Sequence, residues 1–388
     1  MRSVTILSSV LAVGSAVVSA VTTCTDDIKV SQPTPVIDCE VVDGSIIVDE
    51  SVSGSLSIEG PKKLNKDFVV MNATKLISIS SSSITSIGGT MDFESLTLLS
   101  SLNMQSLTSV NKLKLAGLPQ LNGLTFGSKG VSRVSDIEIV DTFISDLSGL
   151  SIATADTIFI SNNLKLTKFN SDLVNVTKTL ALVNNGNAMQ VNMSRLQSAG
   201  EVEFRQVKSF DAPALTQVGS IKFNDSPELV SVSANNLSSI TASLTFINNK
   251  KLTNISFESL ESIKGDMTIQ NNTALLALDG FNSLQSCGNM LLAGNFETVK
   301  MDKLNDVKGS ATVTSTTDIS SFCKFFDDLK SSGAIQGKES CTSNNKDANS
   351  GDSTGGQSNS DKQDGAGIVG VNMAVLGLAV LAGLAQVL

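Results

Sequence analysis

Few residues in this sequence are of the types that usually carry out chemistry. The chain of 388 residues contains no His, Trp or Tyr, so it lacks the commonest general base and the commonest metal ligand. Asp92 and Glu94 share the outward edge of one predicted strand, and paired carboxylates are the groups that polysaccharide hydrolases use. Along the row of outward strand positions, however, no two acids are adjacent. We therefore predict no catalytic residues, no metal ligands and no cofactor.

Cys287 is the odd one of five cysteines. A nucleophilic thiol needs an activating base, usually His, and the chain has none. Two tandem blocks, 244–266 and 267–289, align Cys287 with Ile263. Other units carry apolar residues at the same position: Val110, Val134 and Ile240. We therefore predict a buried free thiol that behaves as a small apolar core residue, in preference to a reactive or intermolecular thiol.

The charge of the chain argues against nucleic acid as a partner. Its 28 basic and 37 acidic residues give a net charge of −9 at pH 7. Nucleic-acid binding depends on a basic surface that neutralises phosphates. The Trp and Tyr side chains that commonly stack on bases or sugars are also missing.

The tandem blocks belong to a longer repeat. Units start at residues 68, 91, 113, 137, 158, 180, 202, 221, 244, 267, 290 and 311. Alternating apolar residues, such as Phe68 and Val70, indicate a short strand with one buried face. The turns carry Gly, Asn and Ser and no unit has a long helical pattern, so the strands must stack in parallel. The sequence predicts an all-β fold: a parallel, right-handed solenoid of about twelve coils, built as a β-helix or a leucine-rich horseshoe.

A small or polar residue follows each apolar pair by two positions. The residues at this position are Asn72, Ser95, Gly117, Asp141, Asn162, Asn184, Gln206, Asp225, Asn248, Asn271, Gly294 and Ser315. Period-two counting points this position inward or into the corner. We therefore predict a structural ladder whose side chains bond to the backbone of the turns.

Each end of a solenoid needs a cover, and the sequence offers one at both ends. The segment 322–341, FCKFFDDLKSSGAIQGKESC, spaces Phe322, Phe325, Phe326 and Leu329 as on one face of a helix and predicts a C-terminal cap over the coils 68–321. The segment 21–67 is the predicted N-terminal cap. From proximity in the sequence we expect the disulfides Cys24–Cys39 and Cys323–Cys341.

Both termini have the pattern of processing signals. Residues 1–20 combine one Arg, an apolar run and a small-residue cleavage site, which predicts a signal peptide rather than an uncleaved anchor. Residues 365–388 are apolar and follow a Ser/Asn/Gly-rich stalk at 342–364, which predicts a signal for a glycosylphosphatidylinositol (GPI) anchor. Gly365 is the predicted attachment residue and Asn359 the alternative. The other interpretation of this segment is a tail-anchored membrane helix.

A secretory route permits glycosylation and disulfides. The sequence has seven N-x-[ST] acceptor sites (sequons), which start at Asn72, Asn175, Asn192, Asn224, Asn236, Asn254 and Asn271. If Asn72 and Asn271 lie in the inward ladder, their sequons are expected to stay unoccupied. Asn224 precedes the ladder position and is expected to point outward.

The order of these segments resembles the fungal cell-wall organisation proteins, a family of GPI-anchored proteins with receptor-L-domain-like leucine-rich coils and sporulation-specific relatives. The cap sequence and the ordered architecture carry the resemblance, which covers nearly the whole chain. It implies a cell-surface glycoprotein, held at the plasma membrane by a GPI lipid or linked to the wall, whose partners are wall glucan and mannoproteins. No catalytic residues follow from it.

Three functions are therefore open. The first is a non-enzymatic role in wall organisation and integrity. The second is a receptor-like module for a glycan or peptide, for which the outward residues Phe159, Phe204 and Lys222 are candidates. The third is a polysaccharide-active enzyme that uses Asp92 and Glu94.

Overall fold

The computed structural model describes residues 21–127 and 130–350. The predicted signal peptide, the GPI signal and both candidate attachment residues, Gly365 and Asn359, lie outside the described residues, as do residues 351–364 of the stalk. Within the described part no helix has the length and apolar character needed to cross a membrane.

Parallel strands stacked coil upon coil make up nearly the whole of this part, and each typical coil carries three of them. We call the resulting stacks ladders A, B and C, in the order in which the chain passes through them. Within the described residues, ladder A is formed by fifteen strands, some of which begin in ladder C. They are Ile28–Val30, Ile46–Val48, Phe68–Met71, Ser86–Glu94, Ser109–Leu118, Asp136–Thr142, Thr154–Ser161, Asn175–Val183, Ser198–Phe204, Gln217–Asn224, Leu244–Ile247, Met267–Gln270, Met290–Gly294, Ala311–Ser315 and Glu339–Thr342.

Ladders B and C are shorter or less regular. Ladder B consists of Gly54–Ser57, Leu76–Ser81, Ser101–Met104, Leu124–Thr125, Lys168–Asn170, Met189–Asn192, Val207–Asp211, Ser231–Ser233, Asn254–Ser256, Ala277–Leu278 and Thr298–Val299. Its strands form three separate sheets. Ladder C consists of Thr23–Cys24, Val41–Val42, Lys63–Leu64, Ser239–Ile240, Ser262–Ile263, Ser286–Cys287 and Asp306–Val307, with the first residues of the ladder A strands that start at Ser86, Ser109, Thr154, Asn175, Ser198 and Gln217.

The predicted parallel solenoid is confirmed, and the register of ladder A reproduces the repeat of the sequence. Leu244 pairs with Met267, and Met267 pairs with Met290, so equivalent residues of successive units lie side by side. Several long strands pass from ladder C to ladder A through a register shift, for example between Val110 and Lys112. Such a shift marks a β-bulge, which bends the strand and so forms the corner.

The core follows from alternation along these strands. In ladder A the apolar pair of each unit is buried; Leu244 and Phe246 are one such pair. The single residue between the two members of a pair lies on the outer side of the strand. Phenylalanines of successive coils stack inside: the ring centroids of Phe204 and Phe223 are 5.4 Å apart, and those of Phe223 and Phe246 are 5.2 Å apart. No coil could bury such side chains alone, so each depends on its two neighbours.

In most coils the predicted polar ladder is wrong by one residue, whereas Ser315 is buried as predicted and its Oγ donates to the carbonyl oxygen of Phe296 at 2.7 Å. Asn72, Asn248 and most of their equivalents adopt a left-handed conformation, with φ between 50° and 65°, and Asn72 and Asn248 are exposed. The inward ladder is formed by the residue after each of them: Thr142, Asn163, Asn185, Ser226, Asn249 and Asn272. The left-handed residue interrupts the alternation of the strand, so counting in twos across it gives the wrong face.

The buried asparagines bond to the backbone and to one another. The Nδ2 of Asn249 donates to the carbonyl oxygen of Phe223 at 2.9 Å, and its backbone N–H donates to Oδ1 of Asn272 at 2.9 Å. Its own Oδ1 accepts from the N–H of Ser226 at 3.0 Å. Each such side chain therefore satisfies polar backbone groups at a corner that water does not reach.

The C-terminal cap is a helix followed by a further strand. The helix, Ser320–Ser331, buries Phe322 and Phe326, while Phe325 and Leu329 pack partly buried against the core. The chain then adds Glu339–Thr342 to ladder A beside Ala311–Ser315. The structure pairs Cys323 with Cys341, so a disulfide links the helix to this last strand. The helix thereby covers the end of the solenoid.

The N-terminal segment 21–67, expected as a cap, carries strands of all three ladders. Ile28–Val30 and Ile46–Val48 extend ladder A ahead of Phe68–Met71 in the same register. The structure pairs Cys24 with Cys39, which joins the first strand of ladder C to the segment that leads into the second. The regular coils therefore begin earlier than the repeat in the sequence indicates.

Replacing Asn249 by Ala tests the inward ladder. We expect a lower thermal unfolding temperature, because the change removes one hydrogen bond from the buried carbonyl of Phe223 and leaves the buried N–H of Ser226 without its partner, at about 1–3 kcal/mol for an unsatisfied group. The matched control is Asn248→Gly at the neighbouring position, where φ is 60° and suits glycine. Circular dichroism during heating should show a clear loss for Asn249→Ala and little change for Asn248→Gly. Equal losses would contradict the assignment.

Candidate functional surfaces

The two candidate catalytic carboxylates lie on the outer face of ladder A and share one lysine. Asp92 Oδ1 is 3.7 Å from Nζ of Lys114, and Glu94 also contacts Nζ of Lys114. Burial raises the pKa of the Asp92 carboxyl above its usual range, and the positive charges of Lys114 and Lys112 oppose the shift. On the neighbouring strand Glu138 Oε2 lies 3.4 Å from Nζ of Lys112. These side chains form ion pairs between adjacent coils on the outer face of ladder A.

No group of His, Cys, Asp and Glu in the described part of the chain could hold a metal ion. The charged residues further along the same face also pair with neighbours. Lys222 Nζ is 3.6 Å from Oε1 of Glu201, and Arg205 Nη2 is 3.0 Å from Oε1 of Glu203. Partly exposed pairs of this kind contribute little stability each, but they leave the face with balanced charge.

The residues considered for a binding module do not form one site. Phe159 is 36% exposed on ladder A between Glu138 and Ala181. Phe204 is fully buried and packs against Phe210 and Phe223, so the expectation that it faces outward is wrong. The physical reason is alternation, because Glu203 takes the outward position and places Phe204 in the core. Lys222 is outward but paired with Glu201.

A cleft lies where ladder B is interrupted. The coil that starts at Asp136 contributes no strand to ladder B, so Leu124–Thr125 and Lys168–Asn170 are not joined. A space of about 360 Å³ opens here. It is lined by Leu124, Thr125, Phe126, Gly127, Gly130, Ser148, Gly149 and Ser151. Among the described residues of the lining, no side chain is ionisable near neutral pH.

Cys287 lies inside the solenoid. It is 1% exposed, and its strand pairs with those of Ile263 and Val307. Burial, together with the negative charges of Asp306 and Asp266, raises the pKa of its thiol to about 12. The thiolate that metal binding or nucleophilic attack requires is therefore strongly disfavoured.

Thiol labelling tests this placement. We expect the folded protein to show no reaction with Ellman's reagent (DTNB) at pH 8, because the thiol is both buried and protonated. The same protein unfolded in guanidinium without reductant should release one equivalent of product, which controls for a competent thiol. Reaction of the folded protein at the rate of a free peptide would place Cys287 at the surface instead.

The sequons lie mainly away from the outer face of ladder A. Asn192 and Asn254 are exposed on ladder B, and Asn236 is exposed in the turn between ladders B and C. Asn72 is also exposed, so the expectation that it points inward is wrong. Asn271 is half-buried, and its Nδ2 donates to Oδ1 of Asn248 at 3.3 Å.

Two sequons begin at side chains that the structure encloses more closely. Asn175 is half-buried at the start of a ladder C strand, and its Oδ1 accepts from Oγ of Ser198 at 2.7 Å. Asn224 is half-buried at the end of a ladder A strand, and its Oδ1 is buried without a hydrogen bond. The alternation of its strand keeps Asn224 on the outward side, as expected, but neighbouring residues partly enclose the amide to which a glycan would attach.

These differences predict which sequons carry glycans. We expect high occupancy at Asn192 and Asn254, whose side chains are exposed and make no hydrogen bond, and low occupancy at Asn224. Peptide mass spectrometry after enzymatic deglycosylation in heavy-oxygen water measures each site separately. Full occupancy at Asn224 would contradict the prediction, and the two ladder B sites serve as internal controls for the host's glycosylation.

Comparison with known proteins finds fungal surface proteins. The chain is 31% identical to "Protein ecm33" of Aspergillus fumigatus over 225 residues, which are 52% of this chain and 56% of that protein. It is 30% identical to "Cell surface GPI-anchored protein ECM33" of Candida albicans, over 44% of this chain and 42% of that protein. It is 26% identical to "Sporulation-specific protein 22" of Saccharomyces cerevisiae, over 53% of this chain and 45% of that protein.

The chain therefore spans about half the length of the curated relatives it matches. No protein-family model matches the chain, and neither does any solved structure. The names of the relatives describe proteins of the fungal cell surface and of sporulation.

Proposed function

Because the chain is a relative of the fungal cell-wall organisation proteins, as predicted, we propose that it is a GPI-anchored cell-surface glycoprotein that helps to organise the fungal wall and keep it intact. Its role is structural and non-enzymatic. Its partners are the plasma membrane, through the GPI lipid, and the glucan and mannoproteins of the wall. Gly365, or alternatively Asn359, carries the anchor.

A long and stiff scaffold supports this role. Ladder A is continuous from Ile28–Val30 to Glu339–Thr342, and at about 4.8 Å between strands it extends for roughly 65 Å. Its corners are closed by buried hydrogen bonds such as those of Asn249. A rod of this kind can span part of a wall layer and hold surface groups at fixed spacing.

The arrangement of the carboxylates is the observation that favours a structural role over catalysis. Retaining glycosidases need two carboxyl groups that face each other across the scissile bond, and inverting enzymes need a wider pair with room for water. Asp92 and Glu94 instead lie two residues apart on one strand and both contact Lys114. The raised pKa of Asp92 is explained by its burial beside neighbouring strands.

Complementation of a fungal strain that lacks the gene tests the proposal. We expect the deletion to sensitise growth to wall-perturbing dyes and the wild-type chain to restore resistance. The double variant Asp92→Asn, Glu94→Gln should restore it equally well, because the proposed role needs no acid or base. An unaltered wall in the deletion strain would refute the proposed function.

The matched control is the double variant Glu201→Gln, Glu203→Gln, which removes two similarly placed carboxylates from the same face. Surface abundance of every variant is measured by antibody labelling. If only the Asp92 and Glu94 variant fails at normal abundance, the enzymatic alternative replaces the structural one.

A receptor-like binding module is the second candidate function. The observation that favours it is a row of outward residues on ladder A, Thr268, Thr312 and Ser340, whose hydroxyl groups make no hydrogen bond within the described protein.

A further inference from the structure

The C-terminal part of ladder A carries a row of neutral side chains in register. Thr268 pairs with Leu291, Leu291 with Thr312, and Thr312 with Ser340, so the four side chains lie side by side on four successive strands. All four are half-buried by their neighbours and face outward. We call this row the hydroxyl stripe. The next residue of the row towards the N-terminus, Thr245, is only 8% exposed, so the stripe begins at Thr268.

The hydroxyl groups of the stripe are unpaired within the described protein. Just ahead of the strands of ladders B and C, Ser and Thr hydroxyls commonly donate to a carbonyl of the preceding coil, as Thr253 does to Val230 at 3.2 Å and Ser238 does to Thr216 at 3.1 Å. Thr268, Thr312 and Ser340 make no such bond. The paired strands fix the spacing of these residues, and the donor and acceptor capacity of their hydroxyl groups is available to a ligand.

The stripe also differs in charge from the rest of its row. Towards the N-terminus the same row carries Asp92, Lys114 and Glu138, and later Glu203 and Lys222, which form ion pairs. No member of the stripe is charged. A neutral ligand can bind there without removing an ion from water, which is the costly step in burying charged groups.

We propose that the hydroxyl stripe binds one chain of a neutral, extended polysaccharide that lies along the solenoid axis. The strands repeat at about 4.8 Å, close to the spacing of sugar rings in an extended polysaccharide, so successive rungs can meet successive rings. The threonine and serine hydroxyls bond to sugar hydroxyls, and Leu291 contacts the C–H face of a ring. This mixture of apolar contact and a few placed polar groups is typical of ligand sites.

An extended peptide fits the stripe less well. Peptides that bind sheets usually add a strand at an open edge and use main-chain hydrogen bonds. Within the stripe each strand from Met267–Gln270 to Ala311–Ser315 is paired on both sides, so its main chain is already occupied. No sequon begins in the stripe, and therefore no N-linked glycan of the protein itself is attached to it.

This inference takes only one point from the proposed function, namely that the protein is located at a surface where it meets such a polysaccharide. Isothermal titration of the full-length chain, purified in detergent, tests it directly. The probes are neutral hexasaccharides of β-1,3-glucan, chitin and mannan, with hexagalacturonate as the charged comparison. We expect saturable binding of at least one neutral hexasaccharide and none of hexagalacturonate. The three neutral probes distinguish the possible sources of the polysaccharide.

Two substitutions in the stripe provide the structural readout. Thr268→Asp and Thr312→Asp should each lower the affinity at least tenfold, because each places an unpaired charge under the ligand. Thr298→Asp is the matched control: it makes the same change at a half-buried strand position of ladder B and should leave the affinity unchanged. Thr268→Ser keeps the hydroxyl and should bind nearly as the wild type does.

Absence of saturable binding by every neutral hexasaccharide would overturn the inference, as would equal losses in Thr298→Asp and the stripe variants. Thermal unfolding of each variant shows whether it remains folded. If an aspartate variant unfolds, Thr268→Val, which keeps the volume and removes the hydroxyl, must still weaken binding. A wall defect in the deletion strain without hexasaccharide binding would refute this inference and leave the proposed function standing.

Discussion

The corner between ladders A and B is the constraint on which the rest of the structure depends. At this corner the chain must leave a strand, turn into the interior and start another strand while its polar backbone groups stay paired. A residue with positive φ makes the turn in most coils, as at Asn162 and Asn248, and the next residue points inside. Asn163 and Asn249 then bond to the backbone of neighbouring coils. The corner therefore fixes how neighbouring coils line up at the end of each ladder A strand that contains it.

Much of the fold could be predicted because the strands alternate strictly. The twelve predicted starts all fall on ladder A strands, since each carries an apolar pair whose two members face the core. Alignment of the tandem blocks likewise placed Cys287 beside Ile263, where the structure has it. Such predictions need only the period of the repeat, and the period survives small changes in loop length.

The inward ladder could not be placed in the same way. Counting in twos assumes that the strand conformation continues, and the left-handed residue at the corner ends it. Asn248 and Asn249 are identical in type, so composition could not decide between them; only the backbone conformation assigns the exposed turn to Asn248 and the buried bonds to Asn249. The candidate surfaces were hard to predict for a related reason. Which hydroxyls are satisfied depends on carbonyl positions in the neighbouring coil, which the sequence of one coil does not specify.

The end of the solenoid shows how the scaffold and its surface are connected. After the strand Glu339–Thr342 the chain turns back along the coils: the N–H of Asn345 donates to the carbonyl of Ser315 at 2.8 Å, and Nδ2 of Asn349 reaches Oδ1 of Asn295 at 2.5 Å. This segment helps to bury Thr314 and Ser315, since Nδ2 of Asn345 also donates to Oγ1 of Thr314 at 3.1 Å.

The returning segment covers one part of ladder A and leaves another part open. Thr312 and Thr314 both follow Ala311 on one strand, yet Thr314 is bonded to the returning segment while the hydroxyl of Thr312 has no partner. The chain thus leaves the described part beside the coil of Met290 rather than beyond the last strand. Within the described residues, the hydroxyl of Thr312 therefore stays open on the same strand on which Thr314 is bonded to the returning segment.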